Sequence, residues 1–261
     1  MTDKIITEKH GDTARIIFNQ PEKRNAVSLE MWEAVEAAVQ TFAQDPAIRT
    51  LIFSGAGGKA FVSGADISKF ESERATEEGV ARYNATTKRA YDSIEAFPKP
   101  TIAQIDGFCV GGGVALALCC DLRICGKGSN FAIPAAKLGL GYGFIGINRL
   151  VNVVGPAFAK ELFFTARRFD AEEARMMGLV NRVVEDGKVA QAAEEIAAMI
   201  GANAPLTVNS VKYIVGETLK DESQRDVAEC DRLVKACFDS QDYIEGRRAF
   251  LEKRKPVFVG S

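Results

Sequence analysis

Three consecutive glycines, Gly111, Gly112 and Gly113, are the feature that most restricts how this chain can fold. They stand between Thr101-Ile102-Ala103-Gln104, a run with β-branched residues that reads as a strand, and an apolar run from Val114 to Cys120, without Gly or Pro, that reads as a buried helix. A strand-to-helix turn built from residues without a Cβ lets another molecule approach the main chain closely. The helix that begins there leaves its first amide N–H groups unpaired and electropositive, so the turn can hold an anion or a developing oxyanion. Close packing of helix on strand needs the same glycines, and the motif alone does not separate the two uses.

A second stretch narrows the choice. Lys59-Ala60-Phe61-Val62-Ser63-Gly64-Ala65-Asp66-Ile67 follows the strand-like Thr50–Ser54 and the glycine-rich loop Gly55-Ala56-Gly57-Gly58. Together the two stretches resemble the enoyl-CoA hydratase/isomerase, or crotonase, family. In that family an F-x-[SA]-G-A-D loop and a G-G-G turn each supply one backbone N–H to a thioester oxygen. The resemblance implies that Ala65 and Gly112 are the oxyanion-hole donors, with Ser63, Asp66 and Ile67 in the CoA-binding loop.

The rest of the chain offers few rival chemistries. With 47% hydrophobic and 26% charged residues it has the composition of an ordinary soluble globular protein, and 261 residues can bury a substantial core. A formal net charge of −2 argues against a general nucleic-acid surface. The N-terminus lacks the apolar core of a signal peptide and no apolar stretch is long enough to cross a bilayer, which points to the cytoplasm. The six cysteines form no C-x-x-C pair, and His10, the only histidine, falls at a turn after a short strand, so a Cys/His metal site has little to build from. Buried free thiols fit a reducing compartment.

Along the chain, residues 5–8 and 14–19 read as strands. Ser28 is placed to cap a helix with Leu29, Trp32, Val35, Val39 and Phe42 on one face, ending near Asp45-Pro46. Residues 69–97 are polar, with a later half that reads as an amphipathic helix and an earlier half that reads as a solvated loop or a lid. Residues 122–125 and 179–184 read as strands, and 128–143 as a long irregular segment. Gly141-Tyr142-Gly143-Phe144-Ile145-Gly146 spells G-x-G-x-x-G, but Pro134 and Gly139 interrupt the approach where a dinucleotide site needs a strand, so the match is accidental. Pro156 suits a first helical turn, Asp170 to Glu173 has capping-box spacing, and the pattern from Lys188 onward is helical, broken at Gly201, Pro205 and Asp221.

Strands interleaved with helices and then helices alone fit α/β layers followed by a helical appendage. No internal sequence repeat is evident. The resemblance, which covers essentially the whole chain, implies a crotonase-like spiral of β-β-α turns over residues 1–200 and a C-terminal helical trimerisation region over 201–261. It also implies an acyl-CoA substrate, with coenzyme A carried by the substrate and no separate cofactor, and a homotrimer or dimer of trimers without nucleic-acid or membrane partners. By the same resemblance Lys23 or Arg24 meets the CoA phosphates and Ala26 packs on the pantetheine. Phe250 and Lys253 then contact the adenine and phosphate end of CoA bound mainly by a neighbouring subunit.

The resemblance is incomplete where proton transfer is concerned. Hydratases of the family use two glutamates, one two residues after the G-G-G turn and one directly after the proline of an F-x-x-P segment; those positions are Ala115 and Ala135 here. An alanine transfers no proton. Loss of CO₂ from a malonyl-type thioester would leave an electron pair at Cα without any base. The segment from Leu138 to Gly146 is similar to the methylmalonyl-CoA decarboxylase branch, which implies that Tyr142 touches the departing carboxylate. That branch carries histidine where this chain has Ala65 and glutamate where it has Ala115. Three readings therefore stand: a decarboxylase-like acyl-CoA lyase, an enoyl-CoA hydratase that recruits Tyr142 or a lid residue between Ser68 and Tyr91, and an acyl-CoA-binding scaffold without turnover. Asp66 and Asp121, the acids nearest the two motifs, read as anchors of loop and helix ends rather than bases.

Overall fold

The computed structural model describes residues 2–69 and 73–261. Its first elements are β1 (Ile5–His10), β2 (Thr13–Phe18) and α1 (Leu29–Gln44). Three β-β-α units follow: β3 (Thr50–Gly55), β4 (Ala60–Val62) and α2 (Glu77–Glu95); β5 (Thr101–Ile105), β6 (Phe108–Val110) and α3 (Gly112–Cys119); β7 (Leu122–Gly126), β8 (Asn130–Ala132) and α4 (Phe144–Thr165). Next come β9 (Phe169–Asp170), α5 (Ala171–Met176), β10 (Arg182–Val184) and α6 (Val189–Gly201), and finally α7 (Pro205–Thr218), α8 (Val227–Asp239) and α9 (Gln241–Leu251).

Each β-β-α unit adds one strand to each of two sheets. The first sheet has the order β1-β2-β3-β5-β7-β10 and the second β4-β6-β8-β9, so β3, β5 and β7 lie side by side in one while β4, β6 and β8 do so in the other. Among the described residues only the β1–β2 and β8–β9 pairs are antiparallel. The repeat is therefore one of structure, carried by strand placement rather than by recurring residues.

The two-residue period of a strand sends alternate side chains to opposite faces. Leu51 and Phe53 of β3 and Ala103 and Ile105 of β5 enter the main core with Phe18, Trp32, Phe61 and Phe131. Ile52, Ile102 and Ile124 enter a second cluster closed by Val189, Ala193, Ile196 and Ala197 of α6. Both faces of these strands are buried, as parallel sheets require.

Several expectations from sequence need adjustment. The strand that runs directly into the three glycines is β6 of the second sheet, not the 101–104 strand, which lies one step back in the first. His10 ends β1, paired with Thr13, instead of lying in the turn. The 128–143 segment contains β8 and a 3-10 helix over Pro134–Leu138. The helix of the polar segment starts at Glu77, where Thr76 accepts a capping bond from the Gly79 amide, so helix claims more of that segment than its later half. Glu71 and the early lid positions 70–72 lie outside the described residues. Ser28 occupies the N-cap of α1 without a side-chain capping bond, whereas the Asp170–Glu173 capping box is fully formed. Gly155 breaks α4 and Pro156 opens its second half. Gly143 caps α4, and the 3-10 helix over Pro134–Leu138, not a strand, leads into Gly141, as expected for an accidental glycine match.

Candidate active site

The G-G-G turn and the Phe61–Ile67 loop meet because β4 and β6 are neighbours, with Val62 paired to Cys109. Gly113 faces the strand so closely that a Cβ there would sit 2.1 Å from the Val62 carbonyl oxygen. Gly112 faces the other loop: a Cβ would lie 3.8 Å from Gly64 Cα and 3.9 Å from Gly64 C, beside the peptide that carries the Ala65 amide. Gly111, at φ 54°, makes the bend and donates to the Ala132 carbonyl at 2.8 Å.

Two amides are left over. Ala65 bridges to Val27 through its neighbours, since Val27 donates to the Gly64 carbonyl (2.8 Å) and Asp66 donates to the Val27 carbonyl (3.0 Å). Along an extended chain successive peptide groups point to opposite sides, so the Ala65 N–H is turned away from Val27. Gly112 is the first residue of α3, where helical geometry provides no acceptor. Among the described residues neither amide has an acceptor.

The far end of α3 reinforces its near end. Arg123, 6% exposed, donates to the carbonyls of Cys120 (2.6 Å), Ala117 (3.4 Å) and Leu179 (2.8 Å). A cation on the last carbonyls satisfies the negative end of the helix and leaves the positive end at Gly112. Asp121 holds the start of β5 by accepting from the Thr101 amide (2.7 Å) and hydroxyl (2.9 Å), with Lys212 at 2.8 Å, which is the anchoring role read from sequence.

Alanines and tyrosines stand at the positions of interest on the elements next to the turn. Ala115 is half-buried on the first turn of α3, and Ala135 is buried in the 3-10 helix that follows β8, whose end pairs with the end of β6. Tyr142, half-buried, packs edge-on against Phe163 with ring centres 4.9 Å apart. The Tyr91 hydroxyl donates to the Gly112 carbonyl at 3.2 Å. Burial pushes the phenols of both Tyr91 and Tyr142 up from the ordinary tyrosine value, and each also feels Tyr83. These groups stay protonated across the neutral range, so they can donate protons and hydrogen bonds but are poor bases.

The predicted CoA-loop residues are brought together, with one rearrangement. Lys23 donates to Asp66 Oδ2 (2.8 Å) and to the Ser68 hydroxyl (3.1 Å), so its charge is already paired within the loop. Burial works to raise the Asp66 carboxyl, but the bonds from Lys23 and Ser68 outweigh it and hold the carboxyl below its usual range. Asp66 also accepts from the Ser68 amide, as a loop anchor should. Ser63 donates from its amide to the Arg24 carbonyl and from its hydroxyl to that of Lys23. Arg24 lies over the Phe108 ring at 5.0 Å, Ala26 is half-buried, and Ile67 is 66% exposed beside the loop. Phe250 and Lys253 are exposed at the end of α9, and no hydrogen bond or ring contact among the described residues ties them to the Ala65–Gly112 region.

Two contributors escaped the sequence reading. Asn25, fully buried, accepts from the Gln20 amide and donates to the Ala56 and Ala60 carbonyls, stapling the first loop to the start of β4. Tyr91 reaches Gly112 across 21 positions, and its one sequence signal is an aromatic residue on the apolar face of a mostly polar helix. No group of three or more His, Cys, Asp or Glu side chains among the described residues is placed to hold a metal ion.

A family model described as enoyl-CoA hydratase/isomerase matches residues 8–261. The chain belongs to this enoyl-CoA hydratase/isomerase family. Among its curated relatives, a crotonyl-CoA hydratase of Syntrophomonas wolfei is 37% identical over 257 residues, covering 98% of each chain. A carnitinyl-CoA dehydratase of Salmonella typhi is 32% identical over 268 residues, covering the whole of both. In three dimensions it is similar to an enoyl-CoA hydratase/isomerase family protein of Hyphomonas neptunium, with a TM-score of 0.93 and 38% identity over 99% of this chain and 98% of that one. The chain thus has the α/β crotonase fold, and no helix among the described residues is long and apolar enough to cross a membrane.

Proposed function

We propose that this member of the family is an acyl-CoA enzyme that stabilises a thioester enolate between the Ala65 and Gly112 amides and forms it without a protein base, by decarboxylation of a malonyl-type CoA ester. The observation that carries the reading is the presence of two unpartnered amides together with alanines at positions 115 and 135 and protonated phenols on Tyr91 and Tyr142. Each aimed amide contributes about 3 kcal/mol to a transition state in which charge moves onto the thioester oxygen. The bond from Cα to the carboxylate breaks, CO₂ leaves, and its electron pair enters the enolate. A proton from a phenol or from water then reaches Cα. An apolar pocket that solvates the substrate carboxylate poorly favours that loss. Tyr142 is the residue assigned to touch the carboxylate.

A second reading is favoured by the relatives, whose names are those of a hydratase and a dehydratase. In that case water adds across an enoyl double bond with Tyr142 or a lid residue as acid. Coenzyme A would lie along Lys23, Arg24, Ala26, Ser63, Asp66 and Ile67. Exposed apolar side chains on α7, α8 and α9, including Val215, Phe238, Phe250 and Leu251, support a trimerisation region over 201–261, with Phe250 and Lys253 offered to a neighbour's CoA.

Parallel assays separate the readings: CO₂ release from malonyl-CoA and methylmalonyl-CoA, and loss of enoyl absorbance from crotonyl-CoA. CO₂ release exceeding hydration supports the proposal. Hydration alone favours the second reading, and tight acetyl-CoA binding with neither activity favours a scaffold.

A further inference from the structure

Two neighbouring cations of the first loop are held differently. The Lys23 ammonium is bonded to Asp66 and Ser68, whereas the Arg24 guanidinium has no ion pair or hydrogen bond among the described residues and lies over the Phe108 ring, 5.0 Å from its centre. The same division recurs on the far side of the second sheet. Arg167 is paired with Glu161 (2.9 Å) and Glu173 (2.8 Å), while the Arg168 guanidinium has no such partner among the described residues and lies over the same Phe108 ring at 5.3 Å. Asp170, the acid nearest Arg168 in sequence, accepts from the Glu173 amide at 2.8 Å and caps α5.

Strand order brings the two arginines together. Phe108 begins β6, the second strand of β4-β6-β8-β9, in register with Ala60 of β4 and Asn130 of β8. Arg24 arrives from the β4 side, where its carbonyl accepts from the Ser63 amide (3.2 Å), and Arg168 from the β9 side, directly before Phe169. Both are exposed, and their charges lie within about 10 Å of each other, where salt at about 0.1 M only partly screens the repulsion. An anion held by both relieves it. A cation–π contact consumes none of the guanidinium N–H donors, and that fork matches phosphate oxygens.

We infer that Arg24 and Arg168 form a clamp across Phe108 for a phosphate of the CoA ester, with Arg168 the member that neither loop motif supplies, and that Lys23 holds the loop instead of the ligand. This rests on the reading of the site as one for CoA esters, and the spacing suits it. Phe108 precedes Gly112 by four residues, at most roughly 13 Å of extended chain. The arm of CoA has about thirteen bonds between the thioester sulfur and the first phosphorus, the length of about four peptide units, or roughly 15 Å when extended.

The test is calorimetric titration of acetyl-CoA into the parent and Arg168→Gln at low and at high salt. Arg168 is exposed, so the variant is expected to fold as the parent does. Arg168→Gln is expected to bind acetyl-CoA about tenfold more weakly at low salt and to approach the parent at high salt, because screening removes an attraction between ion and phosphate. A loss seen with acetyl-CoA and absent with dephospho-acetyl-CoA, which lacks the 3′-phosphate, assigns the clamp to that phosphate, and an equal loss on both assigns it to the diphosphate. Equal affinity of variant and parent at low salt overturns the clamp. A deficit of the same size at both salt concentrations, the mark of lost packing, overturns it too. A parent that binds acetyl-CoA at neither salt concentration overturns the CoA-ester reading itself.

Discussion

Gly112 and Gly113 are adjacent, both helical and both without side chains, yet they face opposite parts of the molecule. A Cβ on Gly113 would stand 2.1 Å from a backbone oxygen of β4, while a Cβ on Gly112 would meet nothing closer than the Tyr91 hydroxyl at 3.5 Å. One glycine lets the helix dock on the sheet, and the other keeps open the space between two loops. Close packing is the use seen at Gly113, and the open space at Gly112, one residue away, is what the proposed oxyanion site needs.

The strongest way to break this comparison is at Gly113. Gly113→Ala must displace a backbone carbonyl and is expected to destabilise the fold by more than about 4 kcal/mol, seen as loss of soluble protein or of a cooperative melting transition. Gly112→Ala is expected to fold with a melting temperature close to the parent's but to lose about 100-fold or more of turnover, because the methyl enters the space beside the Ala65 peptide. If both variants unfold, or both remain active, the division of labour is wrong.

The side-chain wall gives a smaller effect. Tyr142→Phe is expected to leave stability unchanged and lower turnover by about 10- to 100-fold. Burial raises the Tyr142 phenol, so any loss of parent activity through its ionisation should come only above the ordinary tyrosine value of about 10. The smallest effect belongs to the loop. Lys23→Met removes a partner that holds Asp66 low, and with Lys23 40% exposed the cost should stay below about 1 kcal/mol. A carboxyl depressed in the fold stabilises it above the unfolded pKa of about 3.9 and ceases to do so as pH falls through the folded value. The parent should therefore exceed Lys23→Met in stability near neutral pH and lose that advantage in acid, which urea melts at two pH values would measure.

Sequence revealed what local chemistry dictates. The β3 and β5 runs are long enough to show their β-branched character, and the glycine turn, the Asp170 capping box and the breaks at Gly201 and Pro205 each announce a backbone need. The three-residue strands β4, β6 and β8 are too short to show a period, and they form because neighbours in the second sheet complete their hydrogen bonds. The β-β-α repeat was hidden for the same reason. At the site, the Ala65 and Gly112 amides are singled out by the family resemblance of their two motifs, and neither has an acceptor among the described residues. The Lys23–Asp66 pair joins residues 43 apart and the Tyr91–Gly112 bond residues 21 apart, distances over which no local pattern carries information.

The central claim is that two loops aim two main-chain amides at one carbonyl oxygen. A crystal structure of the protein with a non-hydrolysable acetyl-CoA analogue tests it most directly. The account predicts the analogue's carbonyl oxygen within about 3.1 Å of both the Ala65 and the Gly112 nitrogen. An oxygen bound elsewhere, or reached by only one of the two, would contradict it.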